Sequence, residues 1–298
     1  MPMPVSPYRD LDRPPLSARA LERALIVPGG LWRRLDLRAE TESTNADATG
    51  AARDGEPEGL VVVAEWQDSG RGRLGRRWVS PPGAGLTLSV LLRPGDQAPQ
   101  RSWPAVPRTR WGWLPLLTGV AVGEAVDRVA GLHATLKWPN DVLVRQPQPG
   151  GAMGRGAEGK CAGVLAEVAA DAVVVGVGLN VTTRADELPP TDGLPATSLR
   201  LAGSSSADRD PLLRALLRGL AGWYGRWRAA SGDAEECGLL AAYRGACATI
   251  DRMVSVQVPG GGAVTGRART VDADGQLVIR REDGTEARVS AGDVLHVR

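Results

Sequence analysis

The chain is short of several residues that usually announce a chemistry. Of its 36 basic residues only two are lysine, Lys137 and Lys160; there are two histidines, His133 and His296, and three cysteines, Cys161, Cys237 and Cys247. The cysteines form no CxxC pair and leave an odd thiol, and the histidines lie far apart in sequence. Neither a disulfide framework nor a zinc site is expected. No stretch reaches the roughly 18 apolar residues of a membrane span. The first turns of chain carry Pro2, Pro4, Pro14 and Pro15 among several charges, without the apolar core of a signal peptide. No membrane partner is therefore expected, and a cytoplasmic location is the default. A net charge of +2 from scattered basic residues gives no argument for a nucleic-acid partner.

The length of 298 residues with 43% apolar content suffices for one large core and a smaller satellite domain. Residues 1–35 hold a proline-rich start and one short amphipathic helix, about Ser17 to Ile26, with Ser17 as N-cap and Leu21, Leu25 and Ile26 on one face. From Asp36 to about Val181, strands are read at Leu60–Trp66, Leu86–Leu92, Val142–Val144, Gly163–Val168 and Val173–Val177. Helices are read from Ser43 or Thr44 as N-cap, and from Leu114 to Val129. Arg145 to Glu158 is rich in Gly, Pro and Gln without periodicity and reads as a mobile loop. After a connector at 202–208, helical patterning returns at Pro211–Trp227 and Glu235–Tyr243. Beyond Ala248, short β-prone runs (Val254–Val258, Ala268–Val271, Leu277–Arg280, Ala287–Ser290) alternate with glycine turns, the pattern of a small all-β barrel.

The densest motif is Gly70-Arg71-Gly72-Arg73-Leu74-Gly75-Arg76-Arg77-Trp78. It satisfies GxGxxG, but a dinucleotide fingerprint needs a helix to open at the glycines. Here Pro81-Pro82-Gly83 follows, and Asp96, at the expected acidic offset, falls in a turn. No GK[ST] follows, so it is not a P-loop either. What remains is a glycine loop with four arginines, whose backbone can approach a ligand closely and whose guanidiniums can fork onto phosphate or carboxylate. Its like charges favour an open, disordered state until an anion binds. The alternative is a solvated basic loop or an RNA-binding segment. The two lysines raise a related question. In a chain that writes arginine almost everywhere, they are either ordinary surface lysines or positions that need a compact ammonium.

Around the loop stand, in order, Glu42-Ser43-Thr44-Asn45, Lys137-Trp138-Pro139-Asn140-Asp141, Lys160-Cys161-Ala162-Gly163-Val164-Leu165-Ala166-Glu167 and Gly176-Val177-Gly178-Leu179-Asn180. Together with Gln67 and the GRGRxGRxW loop, this series resembles that of the biotin protein ligases, directly over residues 42–181. The resemblance implies an α/β fold: a central mixed β-sheet with flanking helices, related to class II aminoacyl-tRNA synthetases and lipoyl ligases, followed by a C-terminal SH3-like barrel. The corresponding division is an N-terminal extension (1–35), a catalytic domain (36–247) and the barrel (248–298). It further implies that biotin attacks the α-phosphate of MgATP to give biotinyl-5'-AMP, and that a lysine of a biotin carboxyl carrier protein or domain then takes the biotin. ATP is the co-substrate, Mg²⁺ the ion, biotin the substrate, and no tightly bound prosthetic group is implied. With only about 35 residues before the catalytic block, an N-terminal winged helix and a repressor role are not expected.

The resemblance also implies site residues. Ser43, Thr44, Asn45 and Gln67 would line the pocket for the biotin head, with backbone of Gly70, Gly163 and Gly176 admitting the ligand closely; Ser43 and Thr44 are equally ordinary N-caps. Lys160 and Arg71 would be catalytic, with Arg71, Gly72 and Arg73 around the carboxylate and phosphates. Trp78, Lys137, Asn140 and Asn180 would serve the nucleotide, although Trp78 also suits a core. Asp141 is a candidate ligand for Mg²⁺ through water. The physical need for cations is plain: a carboxylate about 4 Å from a phosphate costs roughly 4 kcal/mol per unit charge pair at an effective dielectric near 20. Glu167, on a strand, suits orienting a neighbour better than acting as a base, and no dedicated general base stands out. The segment 145–159 is longer than the turn expected in the family. A lipoyl or octanoyl ligase, or a nucleic-acid-binding regulator using the basic loop, are the alternative readings.

Overall fold

The computed structural model of the protein describes residues 13–147, 156–191, 193–258 and 261–296. Most of the Arg145–Glu158 segment read as a loop, residues 148–155, lies outside the described residues. The larger of two sheets has the order β1-β2-β3-β7-β6-β5-β4, built from β1 (Arg34–Arg38), β2 (Leu60–Ala64), β3 (Gly85–Leu92), β4 (Ala134–Lys137), β5 (Asp141–Arg145), β6 (Glu158–Ala169) and β7 (Ala172–Asn180). Only β1 and β2 run parallel; the other neighbours are antiparallel, so the sheet is mixed.

Alternation along these strands sorts their side chains onto two unlike faces. Val61, Val63, Leu86, Leu88, Val90, Val175 and Val177 face the main core, which is completed by four helices: α1 (Ala18–Leu25), α3 (Trp113–Ala125), α4 (Arg209–Ala229) and α5 (Leu239–Ala246). α3 is apolar nearly all round, which suits a helix sandwiched between the sheet and α4. α4 buries Leu212, Leu213, Leu216, Leu217, Leu220, Tyr224 and Trp227 at helical spacing and is capped by Asp208. Of the described helices only α2 (Thr44–Arg53) covers the opposite face, where its Ala48 and Ala52 pack on Leu60, Val62, Leu91 and Val174. Beyond α2 this face turns polar and glycine-rich, with Thr87 and Ser89 on β3 and Gly176, Gly178 and Asn180 on β7. The functional cavity opens there.

The smaller, antiparallel sheet has the order β11-β10-β9-β8-β12, from β8 (Met253–Gln257), β9 (Ala263–Val271), β10 (Leu277–Arg280), β11 (Glu286–Val289) and β12 (Asp293–His296). Its Asp274-Gly275 turn docks on the large domain: Trp113 Nε1 donates to the Ala273 carbonyl at 2.8 Å and Trp138 Nε1 to the Gly275 carbonyl at 3.0 Å.

Several boundaries differ from the sequence reading. β1 straddles the division drawn at residue 35, and Leu21, Leu25, Leu31 and Trp32 before it belong to the main core. β1, β4 and β12 escaped notice because each is short, with half or more of its residues polar. α5 begins at Leu239 rather than near Glu235, because Asp233 caps the amides of Glu235 and Glu236 in a turn that ends at left-handed Gly238. Among the described residues no helix is long and apolar enough to cross a membrane.

Candidate active site

A cavity of about 1540 Å³ lies on the polar face of the large sheet. That exceeds the roughly 300–1,000 Å³ of a typical single small-molecule pocket, leaving volume for two ligands side by side. Of the residues singled out in the sequence, Ser43, Thr44, Asn45, Gln67, Arg71, Gly72, Arg73, Trp78, Lys137, Asn140, Asp141, Lys160, Gly163, Gly176 and Asn180 all line it; Gly70 lines a smaller cavity behind the loop instead.

One end is neutral and closely hydrogen-bonded. Ser43 caps α2, its Oγ accepting from the Ala46 amide. Ser89 Oγ bridges Thr44 Oγ1 at 2.8 Å and Asn45 Oδ1 at 2.6 Å, while Asn45 Nδ2 donates to Glu167 Oε2 at 2.6 Å. Glu167 thereby orients the Asn45 amide. Gln67 Oε1 accepts from the Thr44 amide at 3.4 Å.

The glycines leave room for these side chains. A Cβ at Gly176 would stand 2.0 Å from Asn45 Oδ1, and one at Gly70 would stand 2.2 Å from Gln67 Nε2. At Gly178, which the sequence reading did not single out, a Cβ would fall 2.2 Å from the Trp78 indole. Trp78 thus lies flat on the sheet at Gly178 and Gly163, in the middle of the cavity, and is no ordinary core residue.

The other end is cationic. Lys137 closes β4 and Asp141 opens β5, so the KWPND run is the tip of a hairpin in which these two residues are cross-strand partners. Their charges meet at 3.6 Å. Lys160 Nζ approaches the other carboxylate oxygen at 2.6 Å, a close ion pair that lacks hydrogen-bond alignment. It also lies 5.8 Å from the Trp78 ring centre. Lys160 reaches this face through a β-bulge. Val142 pairs with Ala162 but Leu143 pairs with Lys160, so Cys161 is the extra residue, and Cys161 and Ala162 both turn into the core. With unbroken alternation Lys160 would share the core-facing side of Ala162 and Val164; the bulge re-aims it. Burial pushes the Lys137 ammonium below its ordinary value against the pull of Asp141, and it pushes the Cys161 thiol up to about 12, leaving it unreactive.

The glycine–arginine loop is tied down at separate points, unlike the self-repelling open loop expected. Gly72 donates to the Arg76 carbonyl at 2.7 Å and Trp78 to the Gly70 carbonyl at 2.9 Å. Arg73 donates to Asn140 Oδ1 at 3.2 Å, Arg77 to the Asp68 carbonyl at 2.7 Å, and Arg76 pairs with Asp293 of β12. Arg73, Arg76 and Arg77 are each drawn to a different acceptor, which relieves their repulsion. Arg71 alone of the four has no side-chain partner among the described residues, and it faces the cavity. Asn140, expected at the nucleotide, spends both ends of its amide on Arg73 and on the Val164 carbonyl at 3.1 Å. Asn180 donates to the Thr197 carbonyl at 3.0 Å, which leaves its Oδ1 buried and unpartnered.

The sequence reading missed the contribution of the small domain. Arg252, Met253 and residues 292–296 line the cavity. Arg252 forks onto Glu158 at 2.8 Å through both terminal nitrogens and donates to His296 Nδ1 at 3.0 Å. That donor makes Nδ1 an acceptor and leaves Nε2–H to meet Thr249 Oγ1 at 3.3 Å. Burial, then the charges of Arg252 and Lys137, bring His296 down to about 4. Residues 189–191 and 193–196 form the remaining wall. No local pattern marked them, because they are an irregular segment brought in by pairing with Lys160.

The Biotin/lipoate A/B protein ligase family model matches residues 40–181, and the Biotin protein ligase C terminal domain matches residues 249–297. The biotin–[acetyl-CoA-carboxylase] ligase of Mycobacterium tuberculosis is 43% identical over 97% of this chain and 99% of its own length. The chain belongs to the biotin protein ligase family. Within that family, the bifunctional ligase/repressor BirA of Escherichia coli is 29% identical over 86% of this chain and 71% of its own. The biotin protein ligase of Aquifex aeolicus, solved in complex with biotin and ATP, is 27% identical, covers 90% of this chain and 100% of that one, and superposes with a TM-score of 0.67. The two matched stretches fall one in each of the two domains that wall the cavity.

Proposed function

We propose that the protein activates biotin with ATP to biotinyl-5'-AMP and transfers the biotin to a lysine of a carboxylase's biotin carrier protein or domain, in the cytoplasm. We infer a catalytic unit over residues 36–247, a C-terminal unit over 248–298 and an N-terminal extension over 1–35 that packs on the catalytic core through Leu21, Leu25, Leu31 and Trp32. The observation that carries the reading is the polarity of the cavity. Its neutral amide and hydroxyl end at Asn45 and Gly176 is about 7 Å along β7 from Gly178, whose cross-strand partner Gly163 lies beside Lys160 Nζ. That arrangement suits an extended ligand with a neutral urea head and a carboxylate tail. It also favours biotin over lipoate, whose dithiolane head has no N–H or carbonyl to pair with these groups, as does the near full-length likeness to a biotin ligase. Three of the four arginines of the loop are held by protein acceptors, which disfavours a nucleic-acid reading.

In this mechanism Lys160 lies between the biotin carboxylate and the α-phosphate. The carboxylate oxygen attacks phosphorus, the bond to the pyrophosphate leaving group breaks, and Lys160 with Arg71 and Arg73 balances the charge that develops on the phosphoryl oxygens. Trp78 covers the centre of the cavity and excludes water from the mixed anhydride. Asn180 Oδ1, a buried acceptor left open at about 1–3 kcal/mol, accepts from the amino group of the adenine. The carrier amine then attacks the acyl carbon, AMP leaves, and the amine proton passes to phosphate or solvent.

The donor set fits Mg²⁺ only as an ion that arrives on the triphosphate. Among the described residues no group of three His, Cys, Asp or Glu gathers, and Asp141 is already shared by two ammoniums. Asp141 would hold such an ion through water, and the ion would draw charge from the phosphate oxygens. The deciding experiment is biotin-dependent exchange of pyrophosphate into ATP, with lipoate offered in parallel, followed by the mass of a carrier protein after incubation. Absence of exchange with biotin, or a preference for lipoate, overturns the reading.

A further inference from the structure

Residues 13–16 lie outside the stretches matched by either family model, yet they fasten together two segments that leave the sheet on either side of the cavity. The Arg13 side chain is 6% exposed. Its guanidinium forks onto Glu187, NH1 at 3.1 Å and NH2 at 2.6 Å, and donates to the Thr182 carbonyl at 3.2 Å. Leu16 N–H donates to Glu65 Oε1 at 2.6 Å. Arg209 completes the knot, donating to the Pro14 carbonyl and to Glu65 Oε2, each at 2.6 Å. Glu65 stands two residues before Gln67, at the root of the glycine–arginine loop.

Glu187 stands at the root of the wall. Its Oε2 accepts from the Arg184 amide at 2.8 Å and closes the 3₁₀ turn Ala185–Glu187. The chain then runs along the cavity and pairs with the strand of Lys160: Lys160 N–H donates to the Pro195 carbonyl at 2.8 Å, and Thr197 N–H to the Lys160 carbonyl at 2.9 Å. The Thr197 carbonyl in turn holds Asn180. An exposed ion pair would be screened and weak, but a forked pair with a buried guanidinium is strongly directional, and Arg13 holds the Glu187 carboxyl below its ordinary range.

We propose that Arg13 is a positioning residue for the ligation: through Glu187 it sets the wall at 189–191 and 193–196 against Lys160, and through residues 14–16 it couples that wall to the root of the glycine–arginine loop. The proposal rests on the central cavity being the seat of both substrates. The wall adjoins Lys160 and Asn180, the nucleotide end, whereas the biotin head end is built by α2 and β7. Loosening the wall therefore weakens ATP binding in ground and transition states alike and leaves the chemical step largely intact.

The test is pyrophosphate exchange by the full chain carrying Arg13→Ala, with thermal melting to confirm folding. The expected result is a KM for ATP raised at least about fivefold, with kcat and the KM for biotin within about twofold. Glu187→Ala should give the same signature, and the double variant should be no worse than the worse single one, since both break one contact. A KM for ATP that stays within about twofold, or a kcat that falls as much as kcat/KM for both substrates, overturns the proposal. If Arg13→Ala does not fold, Arg13→Lys keeps the charge without the fork and should raise the same KM to a smaller degree. An unchanged KM there is equally fatal. Lys160→Arg in the same assay separates the two layers: full adenylation by that variant sinks the reading of the cavity, while its loss beside an unaltered Arg13→Ala sinks only this proposal.

Discussion

Lys160 Nζ lies 2.6 Å from Asp141 Oδ1, while the other oxygen of the same carboxylate faces Lys137 Nζ at 3.6 Å. The only two lysines in the chain thus converge on one aspartate, from a bulged strand and a hairpin tip. One carboxylate cannot neutralise two ammoniums, so this corner keeps a surplus positive charge that an incoming anion can use. A guanidinium is wider and planar, and it cannot occupy the gap between Asp141 and Trp78 with the same three-way geometry. Lys160→Arg is expected to lower adenylation by at least about tenfold, or roughly 1.4 kcal/mol. Pyrophosphate exchange at saturating substrate checks this, and near wild-type turnover would return Lys160 to an ordinary cation. Lys137→Arg is expected to be milder in the same assay.

Asp141 also holds up the protonation of Lys137, which burial lowers. Removing that support should lower it further. In Asp141→Asn the alkaline limb of the pH–rate profile for adenylation should move to lower pH, because a lysine of lower pKa loses its proton earlier as pH rises. A limb that stays in place would mean that Lys137 carries no charge the reaction needs.

The glycines of β7 invite a paired test. Gly178→Ala would drive a methyl into the Trp78 indole, where the built Cβ stands 2.2 Å away. Trp78 must leave its seat, and KM for biotin and ATP should both rise, by about tenfold or more. Gly222→Ala in α4 meets nothing within 4 Å. It should leave kinetics alone and raise stability by about 0.5–1 kcal/mol, as alanine does over glycine inside a helix. Equal kinetics in the two variants would refute the role given to Trp78.

His296 makes stability depend on pH in a definite sense. Its pKa falls from an ordinary 6.5 to about 4 in the folded protein, through burial first and then the neighbouring Arg252 and Lys137. Between these values the unfolded chain binds the extra proton, so the contribution is fully present above about pH 6.5 and is lost as pH falls toward 4. Denaturant titrations at pH 7 and pH 5 should therefore show a larger loss of stability for the native protein than for His296→Gln. A loss of equal size in both would show that the histidine does not titrate in this window.

What the sequence determined by itself was local or carried by order along the chain. A cap at Ser43 or Thr44, the buried face of α4, the strands around Val61, Leu88 and Val175, and the ordered motifs were legible because each repeats a helix or strand period or keeps a fixed spacing. The tertiary structure decided the site. That Lys160 faces the cavity depends on a bulge at Cys161, and alternation read along one strand cannot see an extra residue that only the partner strand reveals. That Lys160 reaches the Asp141 already paired with Lys137, that Arg252 and His296 wall the same cavity, and that Arg13 reaches Glu187 depend on residues roughly twenty to nearly two hundred positions apart. They exist because burying the apolar faces of two sheets and five helices leaves these polar groups one common, partly dry place to meet, and nothing in local periodicity records that place.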